Sequence, residues 1–325
     1  MRKYPIHSYG IQTSPLILGC MNFGGAWNRN PVQKDDVLQM QEAIEVALEV
    51  GITMFDHADI YALGKAELVF GNVLRETPSI RDQMVIQSKL GIRFGEESSG
   101  VPTRYDFSRE YILRSVDEIL LRLGTEYLDT LLLHRPDILM DAEEVGETLQ
   151  FLKQVGKVRF FGVSNMSAGQ IQLLQRYCNE KLMINQLEMS LHKIGWLENG
   201  VHVNQLAARD NVFPEGTLEY CQLENIQLQA WGSLAQGLYS KKIFKNESKS
   251  VQKTAALVQK IAHEKDVSEE EVVLAWLLKH PANIQPIIGT TNTSRIRASI
   301  NALQIQLTRE EWYALYVSSR GIGLP

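Results

Sequence analysis

Short runs of apolar residues alternate with longer amphipathic segments along the whole chain. Eight of these runs have the length and the flanking residues of buried β-strands. The predicted strands cover residues 15–19, 52–55, 84–88, 128–133, 159–163, 182–185, 226–230 and 284–288. Because a helical pattern follows each run, we expect the strands to pair in parallel through right-handed crossovers.

Helical periodicity occupies the intervals between the strands. Ser268 with Glu271, and Thr308 with Glu311, have the spacing of a capping box, which marks a helix start. The predicted helices lie near residues 37–48, 66–75, 112–123, 142–154, 218–223, 268–279 and 294–302, and two more begin at Ser167 and Thr308. Residues 191–214 lack clear periodicity, so we expect this stretch to shape a substrate pocket or to clamp a cofactor.

This alternation predicts an α/β protein with the (β/α)₈ TIM-barrel fold, because a closed barrel pairs eight parallel strands without leaving an edge. Such barrels run to about 250 residues or more as one unit, and no linker or repeat divides the 325 residues. We therefore expect one domain, residues 1–325, with an extra C-terminal helix. An open, doubly wound sheet is the alternative.

The composition narrows the classes of partner and compartment. A net charge of −5 and a pI of about 5.9 argue against a broad nucleic-acid or anionic-membrane surface. The three cysteines are odd in number and form no CxxC motif, which fits a reducing compartment. The first residues lack an apolar signal core, and no apolar run reaches membrane-spanning length. We expect a cytoplasmic monomer that binds neither nucleic acid nor membrane.

Four reactive side chains close or follow three consecutive predicted strands. Asp56 ends the second strand, Tyr61 follows it by five residues, Lys89 ends the third and His134 the fourth. Barrel enzymes carry their chemistry at this end of the strands, so one mouth should hold all four. A tyrosine with an ordinary pKa near 10 is a slow acid, and a nearby ammonium lowers that pKa.

These four residues form a set suited to carbonyl reduction, which needs a hydride and a proton. We predict that Tyr61 is the acid, that Lys89 tunes it and that Asp56 anchors Lys89. A neutral imidazole can hydrogen-bond a carbonyl oxygen and aim it, which is the role predicted for His134.

Three segments resemble the signatures of the aldo-keto reductase family. They are FDHADIY at residues 55–61, LLLHRPD at 131–137 and FGVSN at 161–165. The resemblance implies a barrel, a nicotinamide cofactor extended across its mouth, and a catalytic tetrad of Asp56, Tyr61, Lys89 and His134. The resemblance also implies hydrogen bonds from Ser164, Asn165 and Gln186 to the nicotinamide amide, stacking by Trp231, and a loop over the pyrophosphate that contains Ser233, Leu234 and Gln236.

The cofactor's phosphates must bind at a site other than the common phosphate-binding motifs. The chain has no GxGxxG after the first strand and no GxxxxGK[ST] motif. Loop amides and a helix start at residues 289–295 are expected to serve instead, with Gly289, Thr290 and Thr291 as contacts. A planar, permanently charged Arg295 suits a 2′-phosphate, and the resemblance places an arginine there, which favours NADP(H). Arg297 either assists or faces solvent.

The predicted function is reduction of aldehydes or ketones to alcohols by NADPH, with Tyr61 as general acid and a small carbonyl compound as substrate. Two alternatives stay open. One is a cofactor-binding sensor or assembly subunit of this fold with little turnover. The other is a metal-dependent hydrolase using His57, Asp59 and His134, although these do not form an HxH motif and no metal site is expected. We interpret His57 as a packing residue beside the catalytic groups.

Substrate specificity is expected in the loops around the mouth. Aromatic side chains in three predicted loops suggest an apolar pocket wall, and they are Trp27, Phe94, Trp196 and Phe213.

Overall fold

Eight parallel strands close into a barrel in the computed structural model, which describes residues 3–95, 100–240 and 247–325. The strands of the described residues are β1 (Ile17–Gly19), β2 (Met54–Asp56), β3 (Val85–Leu90), β4 (Ile92–Arg93), β5 (Arg104–Tyr105), β6 (Leu128–Leu133), β7 (Val158–Ser164), β8 (Leu182–Glu188), β9 (Gln227–Trp231) and β10 (Gln285–Ile288). All but β4 and β5, which form a separate antiparallel pair, belong to the barrel. The predicted TIM barrel is confirmed, and the open-sheet alternative is wrong.

Helices surround the barrel and follow its strands. Within the described ranges they are α1 (Lys34–Glu49), α2 (Lys65–Glu76), α3 (Arg109–Leu123), α4 (Ala142–Gln154), α5 (Ala168–Tyr177), α6 (Gly195–Val201), α7 (Thr217–Leu223), α8 (Lys249–Lys265), α9 (Glu269–Lys279), α10 (Thr293–Ser299) and α11 (Arg309–Arg320). Both predicted capping boxes are present, at Ser268 for α9 and at Thr308 for α11. Each box satisfies backbone donors that the first helical turn leaves free.

Among the described helices outside the eightfold repeat, α8 and α11 pack against each other. The C-terminal α11 was predicted, whereas α8 was missed. The hydroxyls of Thr254 on α8 and Ser318 on α11 are 2.9 Å apart. Val251, Ala255 and Val258 of α8 are buried at helical spacing, so the pattern that predicts α8 is present in the sequence.

The barrel is filled from its N-terminal end upward by apolar side chains. Ile17, Met54, Leu132 and Ile287 form one buried cluster with residues of the N-terminal segment. A 3₁₀ helix, Pro5–Tyr9, supplies Ile6 to this cluster and covers that end. The C-terminal end of the strands is therefore where a site can open.

The stretch predicted as irregular, residues 191–214, contains α6 and a 3₁₀ turn, Leu206–Asp210. Arg320 of α11 donates to Glu198 of α6 at 2.8 Å and to His202 at 2.9 Å. The Tyr316 hydroxyl also donates to Glu198. The C-terminal helix thus fixes the first half of this stretch. Among the described residues, no helix has the length and apolar character needed to cross a bilayer.

Candidate active site

A buried ion pair lies at the C-terminal end of the barrel. The Lys89 ammonium donates to both carboxylate oxygens of Asp56, at 2.6 and 2.7 Å, and to the His57 carbonyl at 2.7 Å. Lys89 is 1% exposed and Asp56 is 2% exposed. Burial by itself lowers the pKa of Lys89, but Asp56 and Tyr61 together raise it above its ordinary value. The lysine is therefore a permanent cation in this site.

Lys89 lies inside β3 rather than after it, because the strand extends to Leu90. The prediction ended this strand at residue 88, taking the charged residue as a boundary. Its side chain points toward the carboxylate at the end of β2, where the charge is satisfied without solvent.

Tyr61 begins a 3₁₀ turn, Tyr61–Gly64, in the loop that follows β2. The Lys89 ammonium lies 4.9 Å from the centre of the tyrosine ring. Burial raises the pKa of Tyr61 to about 12, the nearby ammonium opposes this rise, and the Asp56 carboxylate adds to it. The ammonium acts on the Tyr61 pKa in the expected direction, but burial outweighs it, so this pKa is raised rather than lowered. Tyr61 therefore keeps its proton at neutral pH.

His134 follows β6 and its ring meets the edge of Tyr61. The ring centroids are 6.1 Å apart and the planes are inclined by 82°. Burial, and then the positive charges of Lys89 and Arg135, hold the pKa of His134 well below its usual range. Its Nδ1 is buried and has no hydrogen-bond partner in the described part of the chain. The imidazole is therefore neutral, as the sequence predicted.

The loop that carries Tyr61 is held along β3 and strained at its tip. His57 N donates to the Gln87 carbonyl at 2.8 Å, and Asp59 N donates to the Lys89 carbonyl at 2.9 Å. Ala62 and Leu63 follow the tyrosine with φ of +49° and +60°. Non-glycine residues pay roughly 1–2 kcal/mol each for this conformation, so the surrounding contacts must impose it.

His57 packs against α2, as expected from the sequence. Its ring centroid is 4.6 Å from that of Phe70, edge to face, and burial lowers its pKa to about 3. His134 instead faces Tyr61 inside the mouth. In the described residues, no group of three or more His, Cys, Asp or Glu side chains could hold a metal ion. The geometry gives the hydrolase alternative no support.

The side chains expected near a nicotinamide amide come together beside His134. Asn165 Nδ2 donates to the Ser164 hydroxyl at 2.8 Å and to the His134 carbonyl at 3.3 Å. The Trp231 ring nitrogen donates to Asn165 Oδ1 at 3.1 Å. The half-buried indole also lies 5.8 Å below the guanidinium of Arg135. The Trp231 ring at the end of β9 thus borders the mouth with a flat aromatic surface.

Gln186 lies deeper than its predicted position at a strand end, because β8 continues to Glu188. Its amide nitrogen donates to Asp56 Oδ1 at 3.0 Å and to Gln229 Oε1 at 3.1 Å. This residue therefore contacts the ion pair of Lys89 and Asp56 directly.

The loop after β9 turns sharply between Gly232 and Gly237. Ser233 is buried and its hydroxyl donates to the Ile287 carbonyl at 2.7 Å, while Leu234 is half-buried. Ala235 and Gln236 have φ of +46° and +56°, and Gln236 is exposed. Ser233 fixes the loop to β10, which leaves the tip to face solvent.

Two arginines near the start of α10 have different surroundings. Arg295 is exposed, and its side chain has no ion-pair or hydrogen-bond partner in the described residues. Arg297 donates to both oxygens of Glu49, at 2.6 and 2.7 Å. The neighbouring Gly289 carbonyl accepts from Asn22 at 2.7 Å, and the Thr290 hydroxyl accepts from the amide of Asn292. Only Arg295 of the two keeps a free guanidinium.

The four aromatic side chains predicted to form a pocket wall have different surroundings. Trp27 and Phe94 are about half exposed, at 49% and 44%. Trp196 is instead buried in the core, edge-on to Trp276 with 5.8 Å between ring centroids. Phe213 is half-buried against the same core. The prediction for Trp196 was wrong because α6 turns this side chain inward.

Sequence reasoning missed Gln87 and Gln229, which lie two residues before Lys89 and Trp231 on their strands. Side chains two positions apart on a strand share a face. Polar residues at this spacing inside apolar strands were the available signal. Arg135, next to His134, was also overlooked as a mouth residue.

Comparison with known proteins gives concordant matches. A model of the "Aldo/keto reductase family" matches residues 15–316. An oxidoreductase of Bacillus subtilis, YcsN, described as uncharacterized, is 37% identical and the match covers 93% of this chain and 94% of that protein. A 6-dehydroglucose reductase of Agrobacterium fabrum is 36% identical, with 96% of each chain covered.

Solved structures show the same fold at lower identity. A glycerol dehydrogenase of Gluconobacter oxydans superposes with a TM-score of 0.77 at 23% identity, covering 96% of this chain and 94% of that one. An aldo-keto reductase of Klebsiella pneumoniae in complex with NADPH has a TM-score of 0.71 at 24% identity, covering 96% and 92%.

Proposed function

The chain belongs to the aldo/keto reductase family, and on that premise we propose that it is an NADP(H)-dependent oxidoreductase that reduces aldehydes or ketones with Tyr61 as the proton donor. One observation carries the proposal: a protonated tyrosine lies between a buried lysine–aspartate ion pair and a neutral histidine.

Each of the four side chains has a distinct task in this mechanism. A reduced nicotinamide supplies the hydride when bound. Tyr61 gives its proton to the carbonyl oxygen, and Lys89 stabilises the phenolate that remains. Asp56 holds the ammonium in place. His134 is neutral and can donate a hydrogen bond that aims the carbonyl oxygen toward Tyr61.

The residues at the mouth fit the two ends of NADP(H). Ser164, Asn165 and Gln186 form a cluster of hydrogen-bonding groups beside His134 with which the carboxamide would exchange bonds, and the half-buried Trp231 offers a face for ring stacking. At the other end, Arg295 carries a guanidinium that has no partner among the described residues and is suited to a 2′-phosphate.

The remaining predicted contacts would meet the middle of the cofactor. Ser233, Leu234 and Gln236 would cover the pyrophosphate, with Gly289, Thr290 and Thr291 beside it.

The substrate proposal starts from the names of relatives. Proteins of Agrobacterium fabrum and Novosphingobium aromaticivorans, 36% and 32% identical to this chain, are named 6-dehydroglucose reductases. We place this aldehyde first in a substrate panel, followed by simple aliphatic and aromatic aldehydes and ketones. The half-exposed Trp27 and the guanidinium of Arg135 provide both apolar and hydrogen-bonding contacts at the mouth.

The deciding experiment measures NADPH oxidation at 340 nm with this panel, for the wild type and Tyr61→Phe. The variant should bind NADPH normally and lose about 10²- to 10⁴-fold in turnover, the usual contribution of a general acid. Tyr105→Phe, which alters an exposed tyrosine of β5, is the matched control and should keep its turnover. A Tyr61→Phe variant as fast as wild type would remove Tyr61 from the mechanism. Tight NADPH binding without any turnover by the wild type would favour the sensor alternative.

A further inference from the structure

A layer of buried polar side chains crosses the barrel directly beneath the catalytic ion pair. Register pairs Asp56 with Gln87 and Gln87 with Thr130 across β2, β3 and β6. It also pairs Gln186 with Gln229 across β8 and β9. All five residues are 2% exposed or less. Such polar groups are costly in a barrel interior unless each finds a partner.

The hydrogen bonds of this layer converge on Asp56 and on Gln229. Gln87 Nε2 donates to Asp56 Oδ1 at 2.6 Å and to Gln229 Oε1 at 2.9 Å. Gln186 Nε2 donates to the same two oxygens, at 3.0 and 3.1 Å. Two amides therefore bridge one carboxylate oxygen and one carbonyl oxygen.

The direction of each amide is fixed by its neighbours. Thr130 Oγ1 donates to Gln87 Oε1 at 3.1 Å, so the nitrogen of Gln87 must face Asp56. Gln229 accepts two hydrogen bonds through its oxygen, and its nitrogen faces Met54 Sδ at 3.8 Å. Rotating the Gln87 amide by 180° would place its oxygen against the oxygens of Asp56 and Gln229. Rotating the Gln229 amide would place its nitrogen against the nitrogens of Gln87 and Gln186. The network therefore admits one arrangement of Gln186 and Asp56.

We propose that Gln87 and Gln229 are positioning residues that hold the Gln186 amide and the Asp56 carboxylate in one orientation, so that nicotinamide binding and proton donation depend on the same buried network. The inference rests on the proposed function, in which Gln186 meets the carboxamide and Asp56 anchors Lys89. Gln87 and Gln229 touch neither substrate nor cofactor, and they act through these two residues.

The test compares the affinity for NADPH with that for 2′-phospho-ADP-ribose, which lacks the nicotinamide. Gln87→Met and Gln229→Met keep the side-chain length but remove the amide. Each variant should bind NADPH about tenfold more weakly, as expected when about one hydrogen bond to the cofactor is misdirected. Binding of 2′-phospho-ADP-ribose should be unchanged. Thr130→Val, which removes only the hydroxyl that donates to the Gln87 amide oxygen, should give a smaller shift in the same direction.

Gln285→Met is the matched control. Gln285 is another fully buried glutamine, but its amide donates to Thr13 and Ser14, away from Asp56. This variant should lose stability and keep the wild-type ratio of the two affinities. When the wild-type enzyme reduces a carbonyl of the panel, kcat for that substrate should also fall about tenfold in Gln87→Met and stay unchanged in Gln285→Met.

The outcomes separate the two hypotheses. If Gln87→Met and Gln229→Met keep the wild-type affinity ratio, as Gln285→Met should, the positioning role is wrong. If the ratio changes while wild type reduces no carbonyl of the panel, the network stands and the proposed reaction fails.

Discussion

Asp59 lies two residues before Tyr61, and its ionisation should weaken the fold as the pH rises. Its Oδ1 is buried without a partner in the part of the chain that the structure describes. Burial, and then the Glu67 carboxylate, raise the pKa of Asp59 to about 8, although Arg122 opposes the rise. The folded protein thus keeps a proton that the unfolded chain releases near pH 4. Stability is undiminished below that pH and is lost progressively up to about pH 8.

The size of this effect follows from the displacement of the pKa. A displacement of about 4 units at about 1.4 kcal/mol per unit gives about 6 kcal/mol above pH 8. Residual hydration of the half-buried carboxylate reduces this upper value. Between pH 5 and 8.5, we expect the stability difference between Asp59→Asn and wild type to grow by about 2–4 kcal/mol in favour of the variant. Any constant cost of the amide cancels in this comparison.

Urea unfolding of both proteins at pH 5, 7 and 8.5 measures the difference. Asp106→Asn is a control of opposite sign, because hydrogen bonds from Ser108 and Arg93 overcome burial and lower the pKa of Asp106. Its contribution is complete above its ordinary pKa, so Asp106→Asn should be destabilised by a constant amount over this range. A stability difference for Asp59→Asn that does not change with pH would refute the buried, protonated carboxyl.

Three further substitutions test the site. Lys89→Met should raise the pKa of Tyr61 further and slow carbonyl reduction about 10²-fold or more. It should also lower the urea midpoint, because the buried Asp56 carboxylate loses its partner. An unchanged rate and pH profile would exclude the tuning role. His134→Gln should reduce kcat with little change in the NADPH Kd by fluorescence titration, and the reverse pattern would contradict its placement on the substrate oxygen. Arg295→Ala should weaken NADPH binding about 10- to 100-fold without affecting NADH binding. Arg297→Ala, which removes a guanidinium held by a carboxylate, should change neither affinity. Equal losses of affinity for both cofactors in Arg295→Ala would rule out the 2′-phosphate contact.

The sequence could predict that Asp56, Tyr61, Lys89 and His134 share one mouth, because the parallel barrel places the ends of successive strands together. It could not predict the balance of forces on Tyr61. The lysine's charge is visible as a residue type, but the burial that outweighs it depends on packing by distant parts of the chain. The sign of a pKa shift therefore needs the structure, even when the participating groups are known.

Ion pairs between residues far apart in the chain limit prediction from sequence in a similar way at the 2′-phosphate end of the cofactor site. Arg295 and Arg297 are both charged residues on one short helix, and although the resemblance favoured Arg295, the sequence could not show what Arg297 contacts. Arg297 is neutralised by Glu49, 248 positions away in the chain. The buried glutamines were closer to being predictable, since Gln87 lies on the same strand face as Lys89. The expected single domain, monomeric state and cytoplasmic location stay predictions.

The segment from residue 56 to 67 concentrates groups that weaken a fold, and this marks the site independently of any resemblance. His57 buries two unpartnered ring nitrogens within the described residues, and Asp59 buries an unpartnered oxygen. Glu67 is fully buried, although Ser88 and Arg122 donate to it. A buried ion pair rarely stabilises a protein relative to an apolar core, so Lys89 and Asp56 offset none of this cost.

A structural role does not account for this concentration of costly groups around one tyrosine. The left-handed turn at Ala62 and Leu63 adds backbone strain at the same place. Strain and displaced pKa values persist where function requires them. Asp59 is a position where this cost could be removed without changing the surroundings of Tyr61. In the described structure, no hydrogen bond of the Asp59 side chain reaches the Tyr61 ring or the Lys89 ammonium. A more stable Asp59→Asn enzyme with wild-type turnover would show that the carboxyl is not needed for proton donation, whereas a stable variant with reduced kcat would place Asp59 among the groups that position Tyr61.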